Sequence, residues 1–315
     1  MSHATPGAAR AAVQGLALAF RAPGLIAAIV LITIITAVPF ALAIEGPVMD
    51  SLAVQPPVST LSASEVDAEW WQEFRRHASG LVATFTPAIL GFAAPLETVS
   101  AVLDGTPRPL ALAAPIAISA IIWAWLWGGI LHRFATGVSS PRAFIAAARR
   151  HFVPMLGVSV VAATVSLLLY VTIHPLLGAV YDLVAPQMTA ERNAFVVRVV
   201  VYVVFGAALM IVNAVFSFAR IAMVTGGERR WLPAMSSGWT FVRTHLTSVT
   251  ALYVIFFVVF AAAMVAYGAA ETLGGARVGG WRAVAIGQMF IVFRIGLRIA
   301  FSGAQVRLAA PATRQ

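Results

Sequence analysis

Three polar residues stand inside long apolar segments of this chain: Asn213, Gln288 and Arg294. Burying such side chains in hydrocarbon is costly, and a polar residue within a membrane segment is by default a candidate for a ligand or ion pathway. On neighbouring helices the three would line one polar seam, whose guanidinium and amide groups suit an anion or a lipid headgroup. The alternative needs no ligand: Arg294 extends towards the membrane surface, and the amides bond neighbouring helices. The residues alone favour this simpler interpretation.

The segments around these residues have the length and composition of membrane spans. Hydrophobic residues make up 60% of the chain and charged residues 10%, whereas soluble domains carry about 25% charged residues. A helix of about 20 apolar residues crosses the hydrocarbon core and satisfies its own backbone hydrogen bonds there. We therefore predict an all-α polytopic membrane protein, with one transmembrane domain over 1–315 and six spans in three hairpins. The predicted spans are about 24–44, 110–131, 154–179, 196–219, 247–270 and 282–303.

Motifs that carry catalysis or bind cofactors are missing from the sequence. There is no cysteine, no HExxH, no GxSxG elbow and no P-loop. We expect neither a metal site nor another cofactor. His174, Asp182 and Glu191 would suggest an intramembrane enzyme if a structure gathered them in one closed cavity. The net charge of +9 does not indicate a nucleic-acid partner, because the arginines follow the ends of the spans.

The arginines predict which loops face the cell interior, since basic residues favour cytoplasmic loops. All 21 basic residues are arginine, which is typical of GC-rich bacterial genes. With the N-terminus inside, the segments 1–23, 132–153, 220–246 and 294–315 hold 14 of the 21 arginines and one acid, Glu228. We therefore predict a multi-pass protein of the bacterial cytoplasmic (inner) membrane with both termini in the cytoplasm.

Two segments bear on the number of spans. Residues 78–96 lack charge but contain two prolines and two glycines, and a span there would move the arginine-only loop 132–153 outside. We read them as interfacial or re-entrant. Residues 40–43, FALA, follow Pro39 and resemble a secretory cleavage site. Because the apolar segment before them is too long for a signal peptide, we expect an uncleaved first span.

A short amphipathic stretch, which we call a foot, precedes the first, third and fifth predicted spans. The feet are 9–20, 144–152 and 232–246, and their apolar residues recur at spacings of three and four, which indicates one helical face. Such helices lie in the headgroup layer while their arginines reach anionic phosphates. Pro154 suits the first turn of the span after the second foot. The predicted membrane-interface anchors are Arg21, Arg149, Arg150 and Arg243.

The segment 46–109 is predicted as an outer (periplasmic or extracellular) insertion in the first hairpin. Within it, Ser64 followed by Asp67 is a helix-start signature, and the helix is expected over 64–85. Tryptophan favours the membrane surface, so we expect this helix to lie on the outer leaflet or to cap the bundle. A ligand-binding lid is the alternative. The apolar stripe contains Trp70 or Trp71, Phe74, Ala78, Leu81 and Phe85.

Three segments carry a resemblance to known proteins: FSFARIAMVTGGERRWLPAMSSGWTFVRTHLTSVTALYVI (216–255), TFTPAILGFAAPL (84–96) and GQMFIVFRIGLRIAFSGAQ (287–305). The chain resembles uncharacterised six-span bacterial integral membrane proteins, in which a span ends in a basic residue and an amphipathic helix leads back into the membrane. More distantly, it is similar to the membrane domain fused to some glycerophosphodiester phosphodiesterases. The resemblance implies the topology above and transfers no catalytic residue.

These observations favour a non-enzymatic integral membrane protein with an accessory or scaffolding role. The alternative is a transporter or lipid-handling protein that uses the polar seam near Arg294, and an intramembrane lipid enzyme is a third reading. Expected partners are membrane lipids, including anionic headgroups. Trp123, Trp125 and Trp127 lie deeper than an interfacial belt, which indicates packing against another helix, a membrane-protein partner or a second copy.

Overall fold

The computed structural model describes residues 7–54, 68–85, 91, 93–106, 109–227, 230–273 and 281–310. Every regular element in these ranges is a helix, and six helices are long and apolar enough to cross a membrane. The chain is therefore an all-α polytopic membrane protein. Its α-helices are α1 Ala8–Phe20, α2 Pro23–Val54, α3 Ala68–His77, α4 Ala93–Leu103, α5 Ala113–Thr136, α6 Pro141–Val184, α7 Glu191–Thr225, α8 Trp231–Thr244, α9 Leu246–Leu273 and α10 Trp281–Ala309.

The six membrane-spanning helices are α2, α5, α6, α7, α9 and α10, and most of them extend beyond the predicted spans. In α2 the helix continues through Glu45 and Asp50 to Val54, because helical hydrogen bonding does not stop where hydropathy falls. Residues 82–84 form a short 3-10 turn and α4 begins at Ala93. The described part of 78–96 thus holds no long helix, in agreement with six spans.

The prediction that Pro154 starts a new helix after the second foot is wrong. Residues 141–184 form one helix, with Pro154 and Pro175 inside it. A proline removes a single hydrogen bond and bends a helix without having to end it. The first and third feet are separate helices, α1 and α8, which end at Phe20 and Thr244. We call the end of the bundle that carries the feet the foot end, and the opposite end the far end.

The second and third feet each pack against the foot-end half of the span that precedes them. The first foot, α1, packs in the same way against the foot-end half of α10. Small residues make this close approach possible. A Cβ on Gly15 would overlap the backbone of Ala300 and Ala304, and a Cβ on Gly238 would overlap that of Val215 and Ala219. In the second foot the packing pairs Ala147 and Ala148 of α6 with Gly128 of α5.

The residues of α7 and α10 that contact their feet occupy corresponding positions in the sequence. Val215 and Ala219 lie 85 positions before Ala300 and Ala304 in the sequence. The segments that contain them, FSFAR at 216–220 and FSGAQ at 301–305, are similar in sequence. Both helices run from the far end to the foot end, so the two segments occupy equivalent places in the bundle.

At the far end, α4 is held against α6 and α7 by hydrogen bonds. The Tyr170 hydroxyl donates to the carbonyl of Val102 at 2.9 Å, and the His174 Nε2 lies 3.0 Å from the carbonyl of Leu103. Tyr202 donates a hydrogen bond to Asp104. This bond, together with a weaker contribution from the Ser100 hydroxyl, lowers the pKa of Asp104. The carboxylate is therefore satisfied within the chain.

The amphipathic helix α3 packs against the extended end of α2, where Trp70 Nε1 donates to the Ser51 hydroxyl at 3.0 Å. It ends at His77 and not at 85, because Gly80 adopts a positive φ of 58° that a helix cannot contain. Beyond the turn, Phe85 returns to the stripe and packs edge-on against Trp71 and Phe74. The start signature at Ser64 and Asp67 lies outside the described residues.

Candidate functional site: a cationic chamber in the bundle

A cavity of about 500 Å³ lies between α5, α6, α7 and α10, and we call it the chamber. Its volume is within the range of about 300–1,000 Å³ that small-molecule sites occupy. Two arginines, Arg220 and Arg298, face it from α7 and α10. The lining residues are Ala120, Trp123, Trp127, Ser159, Asn213, Ser217, Arg220, Arg298, Phe301, Ser302 and Gln305.

Arg298 is positioned by two tryptophans of α5. Its guanidinium carbon lies 3.4 Å from the ring centroid of Trp123 and 5.5 Å from that of Trp127. A guanidinium against an indole face gains a cation–π attraction that strengthens as water is removed. The side chain of Arg298 is exposed and lines the chamber. The indoles hold the cation without neutralising it.

Arg220 is held from the opposite side by α6. Its Nη2 donates to the Ser159 hydroxyl at 3.3 Å, and that hydroxyl donates in turn to the carbonyl of Met155 at 2.8 Å. The Nε of Arg220 is buried and has no hydrogen-bond partner among the described residues. A buried donor without an acceptor costs about 1–3 kcal/mol, and more when the group is charged. This donor is therefore available for an acceptor that enters the chamber.

Amide groups and a tyrosine complete the polar wall. The Tyr253 hydroxyl of α9 donates to Asn213 Oδ1 at 2.7 Å, and Gln305 Nε2 lies 3.5 Å from the same hydroxyl. Asn213 thus uses its carbonyl oxygen within the protein and keeps an NH2 group that only donates. Ser302 and Gln305 are almost fully buried, at 1% and 4% exposure.

The charges of the chamber are all of one sign. None of the described residues that line it carries a carboxylate. Two ion pairs of the structure lie away from it, in α3 at the far end, where Glu73 pairs with Arg76 and His77. The Ser159 and Ser302 hydroxyls already donate to the carbonyls of Met155 and Arg298. The two guanidinium groups and the NH2 group of Asn213 suit a phosphate, a sulfate or a carboxylate. The described lining residues supply positive charge and hydrogen-bond donors, which are the groups that bind an anion.

The chamber contains one of the three residues predicted for the polar seam. Asn213 lines it, whereas Gln288 and Arg294 are exposed on α10 and are not part of its lining. Arg294 lies one turn before Arg298 towards the far end. The structure therefore does not bring the three seam residues together in this cavity, and a separate role for Arg294 stays a prediction.

The four predicted anchor residues belong to the foot end of the bundle. Arg21, Arg149, Arg150 and Arg243 are exposed at the foot end, beside the contacts between feet and spans. Their positions are compatible with reaching lipid headgroups, and the anchoring role itself stays a prediction. The tryptophans of α5 pack inside the bundle: Trp123 and Trp127 face Arg298, and Trp125 packs edge-on against Phe144 of the second foot.

The sequence does not single out Arg220 and Arg298, because both resemble ordinary arginines at the inner ends of spans. The similarity of FSFAR and FSGAQ draws attention to Arg220, whereas Arg298 lies outside these two segments. It aligns Ser217 with Ser302 and Arg220 with Gln305. Within each helix the serine and the longer polar residue are three positions apart, so they lie on one face of that helix. Ser159 and Tyr253 carry no such signal, since isolated hydroxyls are common in membrane helices.

Two other groups of polar residues are less suited to a ligand. A cavity of about 550 Å³ at the far end lies between α2 and α3, where Glu73 and His77 already pair with each other. Of the three residues considered for an enzyme, His174 packs against Tyr170 and Phe205 and contacts the Leu103 carbonyl, while Asp182 and Glu191 are exposed. We therefore place the candidate site at the chamber.

Comparisons with protein-family models, with curated proteins and with solved structures found no match to this chain. The resemblance to six-span bacterial membrane proteins accordingly stays a prediction.

Proposed function

We propose that this protein binds an anionic ligand in the chamber and acts as a transporter or lipid-handling membrane protein. The observation that carries the proposal is the pair Arg220 and Arg298, which face one cavity without a carboxylate partner among the described residues. The sequence raised the same function as its alternative, but with a site near Arg294. Here the proposed site is the chamber.

The energetic reason is the cost of an arginine inside a membrane protein. Insertion scales place it at about 2.5–3.5 kcal/mol at the centre of a span, with a smaller cost towards the ends where Arg220 and Arg298 lie, and such residues normally pair or face a water-filled path. Two unpaired guanidinium groups that share a cavity also repel each other. A purely structural role would be served equally well by neutral side chains, whereas an anion relieves both costs at once.

A second part of the proposal concerns the membrane and partners. We place the foot end at the cytoplasmic face of a bacterial inner membrane, with both termini in the cytoplasm, on the basis of the arginine distribution. The exposed anchors then meet anionic headgroups. An accessory role with a membrane-protein partner or a second copy is compatible with ligand binding, and neither a nucleic acid nor an enzymatic reaction is proposed.

The test compares three variants with the same change of charge. The purified protein is titrated with inorganic phosphate in a neutral detergent, and the midpoint of thermal unfolding is followed by tryptophan fluorescence. Ligand binding to the folded state raises this midpoint. We expect phosphate to stabilise the wild type, and we expect Arg220→Gln and Arg298→Gln to reduce the apparent affinity at least tenfold. That corresponds to a loss of about 1.5–3 kcal/mol for a hydrogen bond to a charged group.

Arg294→Gln is the matched control, since it removes the same charge one turn away on an exposed part of α10. It should retain the phosphate response within about twofold, because Arg294 is not among the described residues that line the chamber and donates no hydrogen bond to any of them. An equal response of all three variants and the wild type would contradict the proposal and favour the accessory role. Loss of the response in Arg294→Gln alone would return the site to the polar seam.

A further inference from the structure

A groove of about 510 Å³ runs between α6 and α7 on the side of the bundle next to the chamber. Asn213 and Arg220 line both spaces, so the groove and the chamber meet at these two residues. From there the groove extends towards the far end, as far as Tyr170 of α6 and Val102 of α4.

The walls of this groove beyond Asn213 are apolar. Ala162, Ala163, Gly206 and Met210 supply much of them. The hydroxyl of Ser166 donates to the carbonyl of Ala162 at 2.8 Å. The Tyr170 hydroxyl is likewise bonded, to the Val102 carbonyl. Their donors are already used within the protein, so this part of the groove suits a hydrocarbon chain.

The length of the groove also suits a chain. Gly206 lines it, and a Cβ at this position would meet no atom within 4 Å. Fourteen residues separate Gly206 from Arg220 along α7, which is about 21 Å at 1.5 Å per residue. One leaflet of the hydrocarbon core is about 15 Å thick, half of the whole. The groove is therefore long enough for an acyl chain from a lipid whose headgroup lies at Arg220.

We propose that the ligand of the chamber is an anionic phospholipid, with its phosphate between Arg220 and Arg298 and one acyl chain in the groove between α6 and α7. This inference rests on the proposed function and names its ligand class. The arrangement has the polarity of a lipid: cations stand at one end, and an apolar channel leads away from them towards the middle of the membrane. A small water-soluble anion would occupy the chamber alone and leave the groove without a role.

The test distinguishes the contribution of the acyl chain to binding from that of the headgroup. Gly206→Leu fills the groove without overlapping the backbone, and Ala163→Leu narrows it from α6. Each purified variant is titrated in neutral detergent with a long-chain phosphatidylglycerol, with glycerol 3-phosphate and with inorganic phosphate. Bound lipid is counted by native mass spectrometry, and unfolding midpoints are recorded. We expect the wild type to bind phosphatidylglycerol at least tenfold more tightly than glycerol 3-phosphate, because the chain adds apolar burial.

Either groove substitution should weaken phosphatidylglycerol binding about tenfold and leave the response to inorganic phosphate unchanged. Gly178→Leu is the matched control: its Cβ also meets no atom within 4 Å, and it lies on α6 outside the groove. Unchanged lipid binding in both groove variants, with loss in Arg298→Gln, would overturn the acyl-chain site and leave an anion site. Unchanged phosphate and lipid binding in Arg220→Gln and Arg298→Gln would overturn the proposed function as well.

Discussion

The pair formed by α7 and α8 and the pair formed by α10 and α1 are two versions of one packing arrangement. In each, a glycine of the foot lies against the span backbone, at Val215 and Ala219 in one and at Ala300 and Ala304 in the other. They differ in where the charge stands. Position 220 is arginine in α7, whereas its counterpart Gln305 in α10 is an amide.

Seven residues before these two positions, the amide is in α7 and the arginine is in α10. Asn213 of α7 corresponds to Arg298 of α10, and all four side chains line the chamber. Each level of the chamber thus has one guanidinium and one amide, and the two cations are offset by two helical turns, about 10 Å along the axis. Repeated packing therefore supplies the scaffold, while the exchange of arginine and amide spreads positive charge along the chamber instead of concentrating it at one level.

The largest expected effect comes from breaking the shared packing. Gly15→Leu and Gly238→Leu should each destabilise the protein by about 1–3 kcal/mol or more, because the added side chain would meet backbone that cannot move away. Thermal unfolding in detergent measures the loss. Gly157→Leu is the control, since a Cβ there meets no atom within 4 Å. Tolerance of one foot substitution and not of the other would show that the two arrangements are not equivalent.

An exchange of side chains between the two copies should give the next largest effect. Arg220→Gln alone is expected to weaken phosphate binding at least tenfold. Adding Gln305→Arg to it returns a guanidinium to the same level of the chamber from α10, and most of the affinity should return. Phosphate titrations of the single and double variants measure this recovery. If the double variant binds phosphate as weakly as the single variant, the helix that carries the guanidinium matters more than the charge itself.

A smaller effect is expected at the far ends of the same two helices. Tyr202 of α7 donates to Asp104, while the corresponding position in α10 is Gly287. Since the pKa of Asp104 is lowered in the folded protein, this carboxylate contributes stability above its ordinary pKa of 3.8, and the contribution is lost as the pH falls through the lowered value. Tyr202→Phe should therefore lower the unfolding midpoint slightly at pH 7.

That difference should vanish at a pH below the lowered pKa, where Asp104 is protonated in both proteins. Thermal unfolding of wild type and Tyr202→Phe across the acid range measures it. Gly287→Ala serves as a control on α10, since its Cβ would come no closer than 3.5 Å to the Tyr267 hydroxyl. A pH-independent difference would mean that Tyr202 acts by packing and not through the carboxylate.

The architecture was largely predictable from the sequence, because hydropathy and the length of apolar segments depend on local composition. Six spans and separate first and third feet follow from this local information. The second foot was harder, since Pro154 carries a strong helix-start signal that the surrounding helix overrides. The end of α3 at His77 depended on the backbone conformation of Gly80.

The chamber was predictable only in part. Asn213 was recognised because an amide in an apolar segment is conspicuous in the sequence. Arg220 and Arg298 looked like ordinary span-end arginines, and only the packing of α5, α6, α7 and α10 shows that they share one cavity. Their partners Ser159 and Trp123 come from other helices, at separations along the chain that no local pattern encodes.

The contact between α1 and α10 has a consequence for biosynthesis. The buried face of α1 contains Ala11, Ala12, Gly15 and Ala19, and it packs against a helix nearly three hundred residues later in the chain. At ribosomal rates of about 5–20 residues per second, about 15–60 s pass between the two. During that time the first helix has no α10 to pack against. The cationic chamber is therefore completed only after α10 has been synthesised, and the proposed lipid can be captured between its two arginines only then.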